Sequence, residues 1–260
     1  MRRSATIATS AFRRLARIAL AALALACGEQ PAPATRVLFI GNSYTYANDL
    51  PQTFATLSQA GKHPVVVDMA AEGGWTLAQH LGASETLDKL NARQWDFVLL
   101  QEQSVVPAIP AERTAGMYPA VREFTQRIRA LHAEPVLFLT WGRRDGLPDA
   151  GFPDFPSMQE QLTAGYLAIA DELDDRVAPV GVAWQTGVSR DTSLALWDND
   201  GSHPSASGSY LAACVLYATL FHASPVGLPA PAGIATGTAR LLQELAQDAV
   251  LTDPGRWHLH

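Results

Sequence analysis

The sequence predicts an α/β protein built on a parallel sheet, and three observations carry that expectation. Short apolar runs recur along the chain with almost no polar interruption, as strands buried on both faces require. Longer segments with helical spacing separate them. The polar residues best suited to chemistry fall just after the ends of those runs, where open parallel sheets bind ligands. Right-handed crossovers then stack helices on both faces and give a three-layer α/β/α sandwich with five strands.

The elements follow in order. Residues 37–40 (Val-Leu-Phe-Ile) read as the first strand, and 50–59 as a helix stopped by Gly61. Residues 64–69 are rich in β-branched side chains and read as the second strand. Residues 76–90 are expected to be helical in pieces, and 97–101 form the third strand. In 118–132, Val121, Phe124, Ile128 and Leu131 share one stripe of a helix. Residues 135–140 are the fourth strand. In 158–173, Leu162, Tyr166, Ile169 and Leu173 align on a helix. Residues 176–182 are expected as a short fifth strand, and 207–221 and 234–249 as closing helices. No internal repeat is visible.

The first strand runs directly into Gly41-Asn42-Ser43, and Asp200-Gly-Ser-His203 places an acid three residues before a histidine. A Gly-X-Ser turn alone is most often only a turn, and an Asp-X-X-His is as often a loop ion pair or a cap. Together, in the order Ser…Asp…His, they supply a nucleophile, a base and a carboxylate that orients the base. That combination points to a serine hydrolase with Ser43, Asp200 and His203 as its catalytic residues. No Gly-X-Ser-X-Gly elbow, His-Glu-X-X-His, zinc-spaced cysteine pair or phosphate loop occurs. No metal or organic cofactor is expected.

On these residues the chain resembles the SGNH (GDSL-like) hydrolases over roughly residues 36–221, and more closely an exported branch of that superfamily. The family's Gly-Asp-Ser block is Gly41-Asn42-Ser43, continuing into Tyr44-Thr45. Its second-block glycine matches Glu72-Gly-Gly-Trp-Thr76, its third block matches Gln101-Glu102-Gln103-Ser104, and its last block is Asp200-Gly-Ser-His203. The resemblance implies the flavodoxin-like strand order 2-1-3-4-5. It also implies an oxyanion hole made of the Ser43 and Gly74 backbone N–H groups and a third-block amide. Two positions depart from the pattern: Asn42 replaces the family's Asp, and Gln103 stands where an Asn is usual. Gln101 is the alternative donor, and solvent-facing strand caps are the plainer reading of both glutamines.

The substrate is less legible. Trp75 and Trp141 lie on loops after strands and are candidate substrate-binding residues, with Arg143 and Trp197 nearby in kind; ordinary packing is the plain alternative. The remaining histidines (63, 80, 132, 222, 258 and 260) read as surface or core; for His80, a turn or two beyond the second block, lining the site is the alternative. A carbohydrate O-acetyl esterase is the first expectation. A short-chain lipase or lysophospholipase-type esterase is the alternative within enzymes, and a non-catalytic carbohydrate-binding protein the alternative outside them.

Composition sets limits. The 260 residues, 48% of them hydrophobic, suit one substantial domain. The formal charge is −6, but the first 30 residues hold five arginines against one glutamate, so the remainder carries −10. So acidic a body argues against nucleic acid as a partner. Residues 1–27 read as a signal peptide, with arginines ahead of an apolar run too short for an ordinary membrane span. The run ends Leu-Ala-Leu-Ala-Cys27-Gly, which resembles a bacterial lipobox with Cys27 as the lipidated residue; plain secretion is the alternative. Residues 28–35 read as a tether and 36–260 as one domain. Export to the bacterial periplasm or cell surface follows, with membrane contact only through the lipidated N-terminus. The other cysteine, Cys214, sits in an apolar run and reads as core.

Overall fold

The computed structural model of the chain describes residues 33–260; the stretch read as a signal peptide, with Cys27, lies outside the described residues. The elements in chain order are β1 (Thr35–Gly41), α1 (Ser43–Tyr46), α2 (Leu50–Ala60), β2 (Val65–Ala71), α3 (Leu77–Leu81), α4 (Ser84–Asn91) and β3 (Phe97–Leu100). Then come α5 (Tyr118–Ala130), β4 (Glu134–Phe138), α6 (Phe155–Leu173), β5 (Arg176–Ala178), α7 (Val180–Arg190), α8 (Ala206–Phe221) and α9 (Thr236–Leu251).

All five strands are parallel and pair in the order β2-β1-β3-β4-β5, as the resemblance implied. Central β1 shows why its sequence is unbroken apolar: Val37, Leu38, Phe39 and Ile40 are all fully buried, because helices cover both faces. Edge strand β2 is looser, with Val66 exposed. One helical layer holds α2, α7, α8 and α9; the other holds α3, α5 and α6. Helix α8 is apolar all round because it packs against α2, α7 and α9 at once. Cys214 is buried within it, and burial pushes its thiol up to about 12, which leaves it inert.

The fifth strand differs from expectation. It stops at Ala178, and residues 180–190, read in part as strand, form α7. Pro179 follows the strand and occupies the N-cap position of the helix, with no side-chain cap. Helix α6 also begins earlier than its apolar stripe. Asp154 and Ser157 form a reciprocal capping box, and Pro156 lies in the first turn.

Candidate active site

The strand β1 delivers Ser43 to the first position of α1 through one buried amide. Asn42 is only 2% exposed and serves three partners. Its N–H donates to Gln101 Oε1 (2.9 Å), its Oδ1 accepts from the Tyr44 N–H (3.2 Å), and its Nδ2 donates to the Trp75 carbonyl (2.9 Å). The last bond needs a donor, so it accounts for Asn where the family has Asp. Gln101 Oε1 also accepts from Thr45 Oγ1 (2.8 Å), and Gln101 Nε2 donates to the Glu102 carbonyl (2.5 Å). A Cβ at Gly41 would collide with Thr45 Oγ1 and Gln101 Oε1, so the strand must end in glycine.

The opposite wall is the loop between α7 and α8. An antiparallel bridge joins Trp197 to Pro204, and a turn closed by Gly201 N–H to Asp198 O (3.0 Å) lies inside it. Asp200 Oδ1 accepts from the backbone N–H groups of Ser202 and His203, both at 2.9 Å. Its Oδ2 meets His203 Nδ1 at 2.5 Å, and His203 Nε2 lies 2.8 Å from Ser43 Oγ. The three residues singled out in the sequence therefore form one hydrogen-bonded chain. The His203 bond, with the two N–H donors, holds the Asp200 carboxyl down at about 2, so it stays ionised throughout the working range of proteins.

Several neighbours fix this loop, and the sequence did not announce them. The Tyr44 hydroxyl and Ser202 Oγ are 2.7 Å apart, and the Tyr44 ring meets the His203 ring edge-on at 5.6 Å. Asn48 Nδ2 donates to the Pro204 carbonyl and to Ser209 Oγ, both at 2.9 Å. The only signal for either was proximity to Ser43.

The predicted oxyanion donors fare differently. Gln101 is buried and turned inward, its Oε1 accepting from Asn42 and Thr45 and its Nε2 donating to the Glu102 carbonyl, which leaves Gln103 the better placed of the two. Gln103 Oε1 accepts from the N–H groups of Val105 (2.7 Å) and Val106 (3.3 Å). That contact turns its amide, and Nε2 has no acceptor among the described residues. The N–H groups of Ser43 and Gly74 are likewise without a protein acceptor there. Gly74 takes φ +74°, at the third position of a turn closed by Trp75 N–H to Glu72 O (3.1 Å).

Trp141 is a correction. It is fully buried, stacked between Tyr44 (4.7 Å) and Trp184 (4.2 Å), and its Nε1 donates to the Ser202 carbonyl (3.0 Å). It cannot touch substrate; it supports the wall carrying His203. Trp75 stays half-buried, its ring edge-on to His80 and its carbonyl held by Asn42. His80 is a core residue, as the plainer reading of the sequence had it. It is buried, with Nε2 2.7 Å from the Gly41 carbonyl and Nδ1 2.7 Å from Thr86 Oγ1, and it braces the end of β1. A groove of about 590 Å³ lies beside the His203 loop, bounded by Phe155, Leu194, Trp197 and Asn199, and does not include Ser43.

The sequence matches no protein-family model and no curated protein. Solved structures do match. A protein of Slackia heliotrinireducens described as an SGNH hydrolase is 32% identical, with a TM-score of 0.63 over 72% of this chain and 100% of that one. The chain thus belongs to the SGNH hydrolase superfamily. The same fold appears in a DUF4886 family protein from Bacteroides uniformis (21% identity, TM-score 0.71, 84% of this chain and 95% of that one). It appears again in an acetylxylan esterase from Geobacillus stearothermophilus (14% identity, TM-score 0.54, 77% and 98%).

Proposed function

We propose that the protein is a serine esterase working through an acyl-serine intermediate. The observation that carries this is the unbroken line Asp200–His203–Ser43, with the base 2.8 Å from the nucleophile. His203 Nε2 takes the Ser43 proton as Oγ attacks the ester carbonyl. The carbonyl oxygen becomes an oxyanion facing the Ser43 and Gly74 N–H groups and the Gln103 amide. His203 then protonates the departing alcohol. Water, deprotonated by His203, attacks the acyl carbonyl and releases the acid, and the proton returns to Ser43. Asp200 keeps the imidazole in the tautomer that presents a bare Nε2 to Ser43.

The substrate proposed is an O-acetylated carbohydrate. The half-exposed Trp75 on the loop held against the Ser43 turn suits stacking on a sugar ring, and a fold relative is an acetylxylan esterase. Export and lipidation at Cys27 belong to the same proposal and rest on the N-terminal sequence alone. The test of mechanism is labelling with a p-nitrophenyl alkylphosphonate. One adduct at Ser43, absent in Ser43→Ala and strongly slowed in His203→Ala, is expected. A folded protein that takes no label would overturn the proposal.

A further inference from the structure

Two histidines from one short segment meet a carboxylate from another part of the fold, far from Ser43 in the sheet. Residues Pro254–Trp257 form a tight turn after α9. Trp257 is buried, with its Nε1 donating to the Ala249 carbonyl (2.7 Å). Leu259 is buried as well, and its N–H donates to the Pro254 carbonyl (3.2 Å). These two anchors hold His258 and His260 against the turn between α6 and β5. That turn is itself fixed, because Arg129 Nη2 donates to the carbonyls of Leu173 (2.9 Å) and Asp174 (3.0 Å).

Both imidazoles converge on one carboxylate oxygen. Asp174 Oδ1 lies 2.8 Å from His258 Nδ1 and 3.2 Å from His260 Nε2. Among the described residues, these three form the one group of His, Cys, Asp or Glu side chains whose ligand atoms all lie within 4.8 Å of one another. A metal held at tetrahedral angles by bonds of about 2.0–2.2 Å keeps its donors roughly 3.3–3.6 Å apart, so a small widening would admit one. A second, separate contact points the same way. Asp171 Oδ1 lies 2.9 Å from His258 Nε2, on the far side of the ring. A neutral imidazole has one N–H to give. With that N–H on Asp171, the bare Nδ1 faces Asp174, which is the carboxylate–histidine–metal arrangement. A hollow of about 440 Å³, lined by Asp174, His260, His132 and Glu134 among others, gives an ion a way in.

We propose that Asp174, His258 and His260 bind one divalent transition-metal ion, with Asp171 orienting His258, and that the ion ties residues 254–260 to the turn between α6 and β5. Two imidazoles and one carboxylate suit a zinc-like cation and not magnesium, which prefers oxygen donors throughout. The role is structural. Asp174 precedes β5, at the edge where the parallel strands begin, whereas Ser43 follows the end of β1 at the opposite edge. The ion therefore takes no part in the Ser43 chemistry, and the proposal is independent of the esterase reading.

The experiment is calorimetric titration of the chelator-treated full chain with zinc chloride, beside magnesium chloride, with unfolding temperatures measured in parallel. Zinc should bind in a set of one site per chain that His260→Ala and His258→Ala each weaken at least tenfold. Asp171→Asn removes no ligand, yet should weaken zinc about 10–100-fold, as loss of a ligand's orienting partner does. Zinc at a hundredfold its Kd should raise Tm by roughly 5–10 °C, and by clearly less in His260→Ala. The His260 side chain is 71% exposed, so that variant keeps its fold even if His258→Ala does not. No zinc binding, zinc binding unmoved in His260→Ala, or magnesium binding as tightly as zinc overturns the proposal. A Tm unmoved by zinc that does bind overturns the structural role.

Discussion

Glu102→Gln should make the protein more stable at neutral pH while leaving it almost unchanged in acid. Glu102 is fully buried at the end of β3. Its Oε1 accepts from the N–H groups of Leu77 (3.2 Å) and Gln103 (2.6 Å), and its Oε2 has no partner. Burial lifts its carboxyl from the usual 4.5 to about 7, with the two N–H donors pulling the other way. The unfolded chain thus gives up this proton near 4.5, whereas the folded protein keeps it until about 7. Between those values the folded state binds more protons, so stability falls as pH rises and levels off above about 7. The full difference is about 3 kcal/mol. Glutamine retains an Oε1 for both N–H donors and cannot ionise. Urea unfolding from pH 4 to 8 should show the variant matching the wild type near pH 4 and exceeding it by up to about 3 kcal/mol at pH 8. Asp175, also raised by burial, to about 6, contributes to both proteins and cancels in the difference. Curves that stay parallel between pH 4.5 and 7 would refute the reasoning.

Two further outcomes follow from the site. Asn42→Asp replaces the donor to the Trp75 carbonyl with an acceptor in a buried place, which should cost about 1–3 kcal/mol in denaturant unfolding and lower kcat. Gln103→Ala should reduce kcat about 10²–10³-fold with KM little changed, as loss of one oxyanion donor does; a change confined to KM would remove Gln103 from that role.

The parts legible in the sequence are those set by local grammar. An apolar run ending in Gly-Asn-Ser announced both β1 and the position of Ser43, and Asp200-Gly-Ser-His203 announced a turn whose own N–H groups hold the carboxylate. What stayed hidden depends on which way a side chain faces across the fold. Trp141 lies on a loop after a strand, as a substrate-stacking residue would, yet its ring is sandwiched between Tyr44 and Trp184. Gln101 and Gln103 are two residues apart with identical chemistry, and only tertiary contacts give the first to Asn42 and leave the second's Nε2 without an acceptor. Helix α7 opens Val-Gly-Val, a β-branched start without a capping side chain, so local propensity favoured the strand and packing against α8 and α9 made the helix.

The measurement that tests the central claim most directly is hydrolysis of p-nitrophenyl acetate by the full chain beside Ser43→Ala. A fall in kcat/KM of roughly 10⁴–10⁶-fold, with unchanged circular dichroism, is the predicted result. Equal turnover by the two proteins, or none from a folded wild type, would contradict it.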